Sequence, residues 1–154
     1  RKWTVVDLCA GNALTGILAV HLLPVNEVGA VDKRNRIREG FGRVRKFKYA
    51  IADIMNYDFW ANQILNQSVI IVASHPCKDL AVKIVSECVK RNLPMAILPC
   101  CISRRQLPEW TLGIAKEHGR YKAWLACLAQ LANGRFKIDR KCLSPCNGLV
   151  TRGL

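Results

Sequence analysis

Val5-Val6-Asp7-Leu8-Cys9-Ala10-Gly11-Asn12-Ala13-Leu14 is the stretch that decides the fold. A short β-branched apolar run from Trp3 to Asp7 ends at an acid, the chain turns at Gly11, and Leu14, Ile17, Leu18 and Leu22 follow at helical spacing. That order reads strand, turn, helix. Pro24 closes the helix, and Glu27-Val28-Gly29-Ala30-Val31-Asp32 gives a second strand that again ends at an acid, completing a βαβ unit.

Outward from this unit the alternation continues. Tyr49 to Asp53 reads as a third strand, and Val69 to Ala73 is a continuous apolar run, as expected of a central parallel strand covered on both faces. Leu80, Ala81, Ile84, Val85 and Cys88 line one face of a helix, with Asp79, Lys83, Glu87 and Lys90 on the other. Met95 to Leu98 is the fifth strand. From Ser103 to Asn133 the chain reads helical, clearest where Tyr121, Trp124, Leu125, Leu128, Leu131 and Ala132 share a face, with Asn133-Gly134 as the stop. Trp60 and Trp110 read as packing residues. Phe136 to Asp139 and Leu149 to Thr151 are the last strands, joined by a turn over Ser144-Pro145-Cys146-Asn147-Gly148. Lacking a crossover helix, the final strand is expected to run antiparallel to its predecessor. The expectation is therefore an α/β fold: a single doubly wound sheet, mostly parallel with an antiparallel last strand, spanning residues 1–154 as one domain.

Composition narrows the function classes. With 51% hydrophobic residues among 154, the chain is not a disordered basic tail, and no apolar run is long enough for a spanning helix. Lys and Arg number 24 against 11 Asp and Glu, so the net charge of +13 points to polyanions, nucleic acid first. Of the eight cysteines, Cys88 and Cys127 fall on apolar helix faces and Cys9 in a turn, which favours a reducing intracellular compartment, cytoplasm or organellar matrix, over a disulfide framework. The sequence opens on Arg1 rather than Met, so it is read as a processed chain, a piece of a longer one, or a numbering that begins where order begins.

The first turn fits neither phosphate-cradling pattern. A dinucleotide fingerprint needs glycines where Cys9 and Leu14 stand, and a P-loop needs Gly-Lys-Ser/Thr. Pyrophosphate requires those glycines; a ligand without phosphate needs only one close backbone approach, here at Gly11. Asp32 lies 21 positions beyond Gly11, the spacing at which an acid ending the second strand accepts from ribose hydroxyls. A phosphate-free adenosine ligand follows.

Here the chain resembles the Rossmann-like class I S-adenosylmethionine-dependent methyltransferases over nearly its whole length. Val5 to Asn12 stands as motif I, Gly29 to Asp32 as motif II, Ala52-Asp53-Ile54 after strand three, and Ser74-His75-Pro76-Cys77 as motif IV. The resemblance implies S-adenosylmethionine as cofactor. Asp7 and the backbone of Cys9, Ala10, Gly11 and Asn12 would hold its methionine end, Asp32 its ribose, and Asp53 with Ile54 its adenine, with Lys33 and Ser74 completing the set. Cys9 and Ala13 stand where the family usually has glycine. His75-x-Cys77 and the Cys100-Cys101 pair after strand five are similar to a branch that includes tRNA ribose 2′-O-methyltransferases, whose further histidines are replaced here by Ile102-Ser103-Arg104.

His75 follows the fourth strand, where an acceptor would approach, and reads either as a general base or as a loop histidine bonded to its own turn. Cys77 admits a covalent reading, since cytosine-C5 methyltransferases attack through a Pro-Cys thiolate, but no acid stands beside it to protonate a base. Cys77, Cys100, Cys101, Cys142 and Cys146 include a Cys-x-x-x-Cys and a Cys-Cys pair that offer zinc ligands; their spacing supports this weakly, and no metal is assigned. Lys33, Arg34, Arg36, Arg38, Arg43, Arg45, Lys46 and Lys48 put eight positive charges into 16 residues against Glu39 alone, interleaved with Phe41, Phe47 and Tyr49 on which bases could stack. RNA is the expected partner of this run, and Arg104, Arg105, Lys116, Arg120 and Lys122 form a second basic group. The expected function is methyl transfer from S-adenosylmethionine to a ribose hydroxyl or a base of RNA. The alternative is a catalytically inactive RNA-binding protein on the same fold, a subunit or assembly factor of a ribonucleoprotein such as the ribosome.

Overall fold

The structure is a computed structural model that describes residues 3–63, 68–102, 107–132, 137–139 and 149–152. The chain divides into two compact units, Arg1–Ser74 and His75–Leu154.

In the first unit β1 (Thr4–Leu8) lies between β2 (Glu27–Asp32) and β4 (Val69–Ser74), and β3 (Phe47–Ile51) flanks β2. All these pairings are parallel, in register Thr4↔Glu27, Thr4↔Val69 and Val28↔Phe47. The strand order therefore reverses at β1, and the carboxyl ends of β1, β2 and β4 open side by side, the place where such sheets take ligands.

Helix α1 (Leu14–Leu22) returns the chain across one face of this sheet, where Val5, Ala13, Ile17, Val25, Val28, Ala30 and Phe47 form a buried cluster. Apart from Thr15 and His21 its sequence is apolar or glycine, so periodicity cannot select the buried side. Leu14, Leu18 and Leu22, whose spacing marks the helix, are exposed, while Gly16 and Ile17 are buried. Gly16 makes the choice: a Cβ there would meet Phe47 Cε2 at 3.0 Å, Val28 Cγ1 at 3.3 Å and Asp7 Oδ2 at 3.4 Å. The opposite face, reached by the alternate residues Thr4, Val6, Glu27, Gly29 and Lys48, carries a 220 Å³ groove that Phe59 of α2 (Tyr57–Gln63) also lines. The sequence pattern marks no helix between β3 and β4. Trp60 of α2 is in the core, its indole N–H donating to Ile54 O at 2.7 Å.

The second unit contains α3 (Asp79–Lys90), β5 (Met95–Leu98), α4 (Leu112–His118), α5 (Arg120–Leu131), β6 (Lys137–Asp139) and β7 (Leu149–Arg152). β7 is antiparallel to both β5 and β6, as expected of a strand reached without a crossover. The long helical stretch is two helices, divided at Gly119, whose φ of +86° no other residue type adopts readily. Trp124, Leu125, Leu128 and Ala132 are buried as expected, but Leu131 and Trp110 are exposed. Glu87, expected on the solvent face of α3, is instead buried, where Lys83 (3.0 Å) and Arg91 flank it one helical turn away on either side. Two cations offset the burial of that carboxylate, a pairing that a hydrophobic pattern does not register. Asn133-Gly134, Phe136 and the turn over 144–148 lie outside the described residues.

Two helical glycines test this packing. Gly16→Ala should lower stability by about 1–3 kcal/mol because the added methyl overpacks Phe47. Gly113→Ala, where a Cβ meets nothing within 4 Å, should raise it by up to about 1 kcal/mol through helix propensity. Urea midpoints of both variants check the opposite signs.

Candidate functional site

The turn after β1 is built from left-handed residues. Cys9 (φ +57°), Gly11 (+54°) and Ala13 (+66°) alternate through it, and two of the three carry a Cβ that disfavours this conformation. Such strain persists only where surrounding bonds impose it. Ala10 N donates to Val31 O at 3.0 Å, and Gly11 N donates to Asp32 Oδ2 at 2.9 Å. The other Asp32 oxygen, Oδ1, accepts from Arg34 N at 2.9 Å, so one carboxylate ties the turn after β1 to the loop after β2. Tyr49 reinforces the tie from β3: its hydroxyl lies 3.1 Å from Gly11 O and 2.8 Å from Arg34 O, with one proton to give to the two. At Gly11 a Cβ would meet nothing within 4 Å, so no side chain packs over the turn at that point.

Asp7 has a different setting. It is fully buried, and its Oδ2 accepts from Gly16 N of α1 at 3.0 Å, while Oδ1 has no partner among the described residues. Burial pushes its carboxyl up to about 7, the Asp32 charge adds to the rise, and the Gly16 N–H opposes it. Asp53 is held below the usual carboxylate range by Lys33, whose Nζ stands 2.8 Å from Oδ2, and by Met55 N, which donates to Oδ1 at 3.0 Å. Ile54 is buried in the core rather than displayed beside Asp53. Ser74, at the end of β4, exchanges a hydrogen bond with Thr15 of α1 at 3.1 Å. Asn12 Oδ1 accepts from Leu14 N at 3.2 Å, a local turn just ahead of α1.

The structure thus brings Asp32, Gly11, Cys9, Ala10, Asn12 and Asp7 to one edge, with Lys33 and Asp53 paired across the next two loops. Sequence reasoning misses Thr15 and assigns Tyr49 to base stacking; neither carries a local signal for its bond to a residue far along the chain.

The cationic run covers the loop from Lys33 through a 3-10 turn at Phe41–Arg43 to β3. Arg34, Arg36, Arg38, Arg43 and Arg45 are exposed, and none has an ion-pair partner among the described residues. Lys48 pairs with Glu27 at 2.8 Å, and Lys46 Nζ donates to Val25 O at 3.2 Å. The interleaved aromatics are engaged within the protein. Phe47 is buried in the α1 cluster, Phe41 packs against that cluster, and Tyr49 is occupied by its carbonyls. Lys116, Arg120 and Lys122 are exposed on α4 and α5, while Arg104 and Arg105 lie outside the described residues.

In the second unit the loop after β4 is also strained, with φ of +66° at His75 and +51° at Lys78. His75 is exposed and its N–H donates to Leu98 O at 3.0 Å. Cys77 Sγ lies 3.6 Å from His75 O and 3.1 Å from Cys100 Sγ. Burial, with Cys77 and Cys101 hydrogen-bonded beside it, pushes the Cys100 thiol up to about 12. Cys142 and Cys146 lie outside the described residues.

No protein-family model and no curated protein matches the sequence. Solved structures match it in fold. The S-adenosylmethionine-dependent methyltransferase SibL in its apo form superposes with a TM-score of 0.63 at 10% identity, over 99% of this chain and 50% of its own. Fibrillarin in its complex with Nop5p gives 0.64 at 11% identity, over 97% and 71%. The ribosomal protein L11 methylase of Lactobacillus delbrueckii subsp. bulgaricus gives 0.64 at 14%, over 99% and 70%. The fold is therefore the Rossmann-like α/β fold of S-adenosylmethionine-dependent methyltransferases, and the chain spans half the length of SibL.

The raised Asp7 carboxyl has a stability consequence with a definite sign. Between its ordinary 3.8 and about 7 the folded state binds the proton that the unfolded state has released, so stability falls as pH rises through that window. Asp7→Asn keeps an acceptor for Gly16 N and carries no charge to bury. It should flatten the decline and be the more stable protein at pH 8, by at most roughly 4 kcal/mol. Urea midpoints of both proteins from pH 4 to pH 8 measure this.

Proposed function

We propose that the chain is an S-adenosylmethionine-dependent methyltransferase acting on RNA, at a ribose hydroxyl or a base. The observation that carries this reading is the Asp32 carboxylate closing the open turn at Gly11. A carboxylate oxygen accepts more than one hydrogen bond, so Asp32 keeps acceptor capacity for ribose hydroxyls after bonding Gly11 N and Arg34 N. The open space above Gly11 fits a ligand that needs close backbone approach. When bound, S-adenosylmethionine supplies an activated methyl group; the turn holds its methionine end, Asp32 its ribose and the Lys33–Asp53 pair its adenine side.

RNA as substrate rests on the five exposed arginines of the loop after β2, which commit no charge to internal pairs among the described residues. Phosphate oxygens are their natural acceptors. His75, which directly follows Ser74 in the chain, takes the acceptor's proton in this reading, with Cys77 beside it on the same loop. The non-catalytic reading, an RNA-binding subunit or assembly factor on this fold, draws on a specific observation too. Both Asp32 oxygens already hold backbone N–H groups.

Calorimetry separates the two. Micromolar-scale binding of S-adenosylmethionine and of its demethylated product, weakened at least about tenfold in Asp32→Ala, is expected of a live site. Silence with both ligands, alongside salt-sensitive RNA binding, assigns the chain to the non-catalytic class. In an active enzyme, His75→Ala should lower methyl transfer by about 100-fold or more with cofactor affinity unchanged; intact transfer would remove His75 from the chemistry. Replacing Arg34, Arg36 and Arg38 by Gln should weaken single-stranded RNA binding and reduce the salt slope by roughly 0.7 for each phosphate no longer neutralised.

A further inference from the structure

Cys77, Cys100 and Cys101 bring three sulfurs within 4.8 Å of one another. They come from two loops of the second unit, one following β4 and one following β5. Backbone bonds lock these loops together: His75 N donates to Leu98 O at 3.0 Å and Lys78 N to Cys101 O at 3.2 Å. From α5, the Tyr121 hydroxyl fixes Pro99 O at 2.7 Å. Left-handed residues, His75 and Lys78, stand on both sides of Cys77. The sulfurs are thus gathered by the fold and not by a disulfide between them. Cys77 and Cys100 Sγ are 3.1 Å apart and Cys100 and Cys101 Sγ 3.4 Å, against about 2.05 Å for a disulfide.

We propose that Cys77, Cys100 and Cys101 bind one thiophilic divalent cation, Zn²⁺, as three thiolate ligands with the fourth position left to water. Sulfurs sharing a tetrahedral zinc at about 2.3 Å stand roughly 3.8 Å from one another. Spacings of 3.1 and 3.4 Å, with the third pair inside 4.8 Å, admit the ion once the two shorter pairs open by roughly 0.4–0.7 Å. An all-sulfur donor set selects zinc over the hard cations, which require oxygen. On binding, the three S–H bonds break, their protons pass to solvent, and three S–Zn bonds form, leaving one net negative charge on the centre. The surplus of +13 on the chain favours that charge. Cys101 is exposed and its partners half-buried, which provides an entry path and keeps the fourth position accessible. The ion would cross-link the His75–Lys78 loop to the Pro99–Ile102 loop, fixing the segment that carries His75. The inference stands on the second unit alone and is independent of methyl transfer.

The test uses the full chain, reduced and stripped of metal, titrated with Zn²⁺ alone against a chromogenic chelator and then with Co²⁺. One ion per chain, proton release on loading, and a thiolate-to-cobalt charge-transfer band with intense visible bands of tetrahedral Co²⁺ are expected. Cys77→Ser and the double variant Cys100→Ser/Cys101→Ser should each weaken zinc at least tenfold, while Cys9→Ala leaves it unchanged. Cys77→His retains a zinc ligand and should restore stoichiometric binding with a shifted cobalt spectrum, which separates lost ligation from a folding defect. Substoichiometric zinc in the reduced chain overturns the proposal. So does full binding by the triple serine variant, or a Cys77–Cys100 disulfide as the only modification that the cluster supports.

Discussion

The functional edge of the first unit depends on one carboxylate. Asp32 closes β2 and accepts from Gly11 N with one oxygen and from Arg34 N with the other. Bonds of this kind to a charged acceptor contribute about 1.5–3 kcal/mol each. They oppose the strain of Cys9 and Ala13, non-glycine residues held in the left-handed region on either side of Gly11. The Tyr49 hydroxyl lies between carbonyls of the same two loops and shares its one proton between them, 2.8 Å from Arg34 O and 3.1 Å from Gly11 O. Remove the carboxylate and two backbone donors lose their partner while the strain remains. The conformation that leaves space above Gly11 is therefore imposed from β2 and β3, not chosen by the turn's own residues.

Asp7 and Asp32 come from the same sequence rule, an acid near the end of a strand, yet they act differently. Asp32 is half-buried and bonded through both oxygens. Asp7 is sealed beneath α1 with a single N–H donor, so its charge is opposed by desolvation and by Asp32. Gly16 creates this environment, because its missing side chain lets the helix descend onto Phe47, Val28 and Asp7 together. Packing of α1 and the protonation of Asp7 are consequently one problem: whatever lifts the helix would rehydrate the carboxylate.

The alternation of strands and helices, the parallel pairings of the first unit and the antiparallel β7 are legible in the sequence because apolar runs, acids and turn residues report backbone path directly. Position 32 is legible for the same reason, since its distance from Gly11 is fixed by one βαβ unit. Choices made by tertiary contact are not. The buried side of α1 depends on a missing methyl, the place of Glu87 on two cations a turn away, and the role of Tyr49 on carbonyls 38 and 15 positions back along the chain. The aromatics of the basic run mislead because interleaving with arginine looks the same whether a ring faces a base or a core. Helix α2 leaves no strong periodic signal, and the indole of Trp60 is anchored to a carbonyl only six residues earlier.

The loop after β2 joins two chemistries through one backbone. Lys33 gives its charge to Asp53 and Arg34 gives its N–H to Asp32, so both residues following the strand are committed to the edge that faces the open turn. The guanidinium of Arg34 and those of its neighbours remain exposed. A polyanion drawn to these side chains would act on the backbone that holds Asp32 in place, and a ligand on Asp32 would act on the segment that displays the charges. Any such effect has to be reciprocal in free energy, since each occupant can alter the other only through a difference in how the shared loop is held. A catalytic and a purely RNA-binding protein could both use this loop for nucleic acid. Only the former needs the space above Gly11 kept open, and it is there that the strain of Cys9 and Ala13 is concentrated.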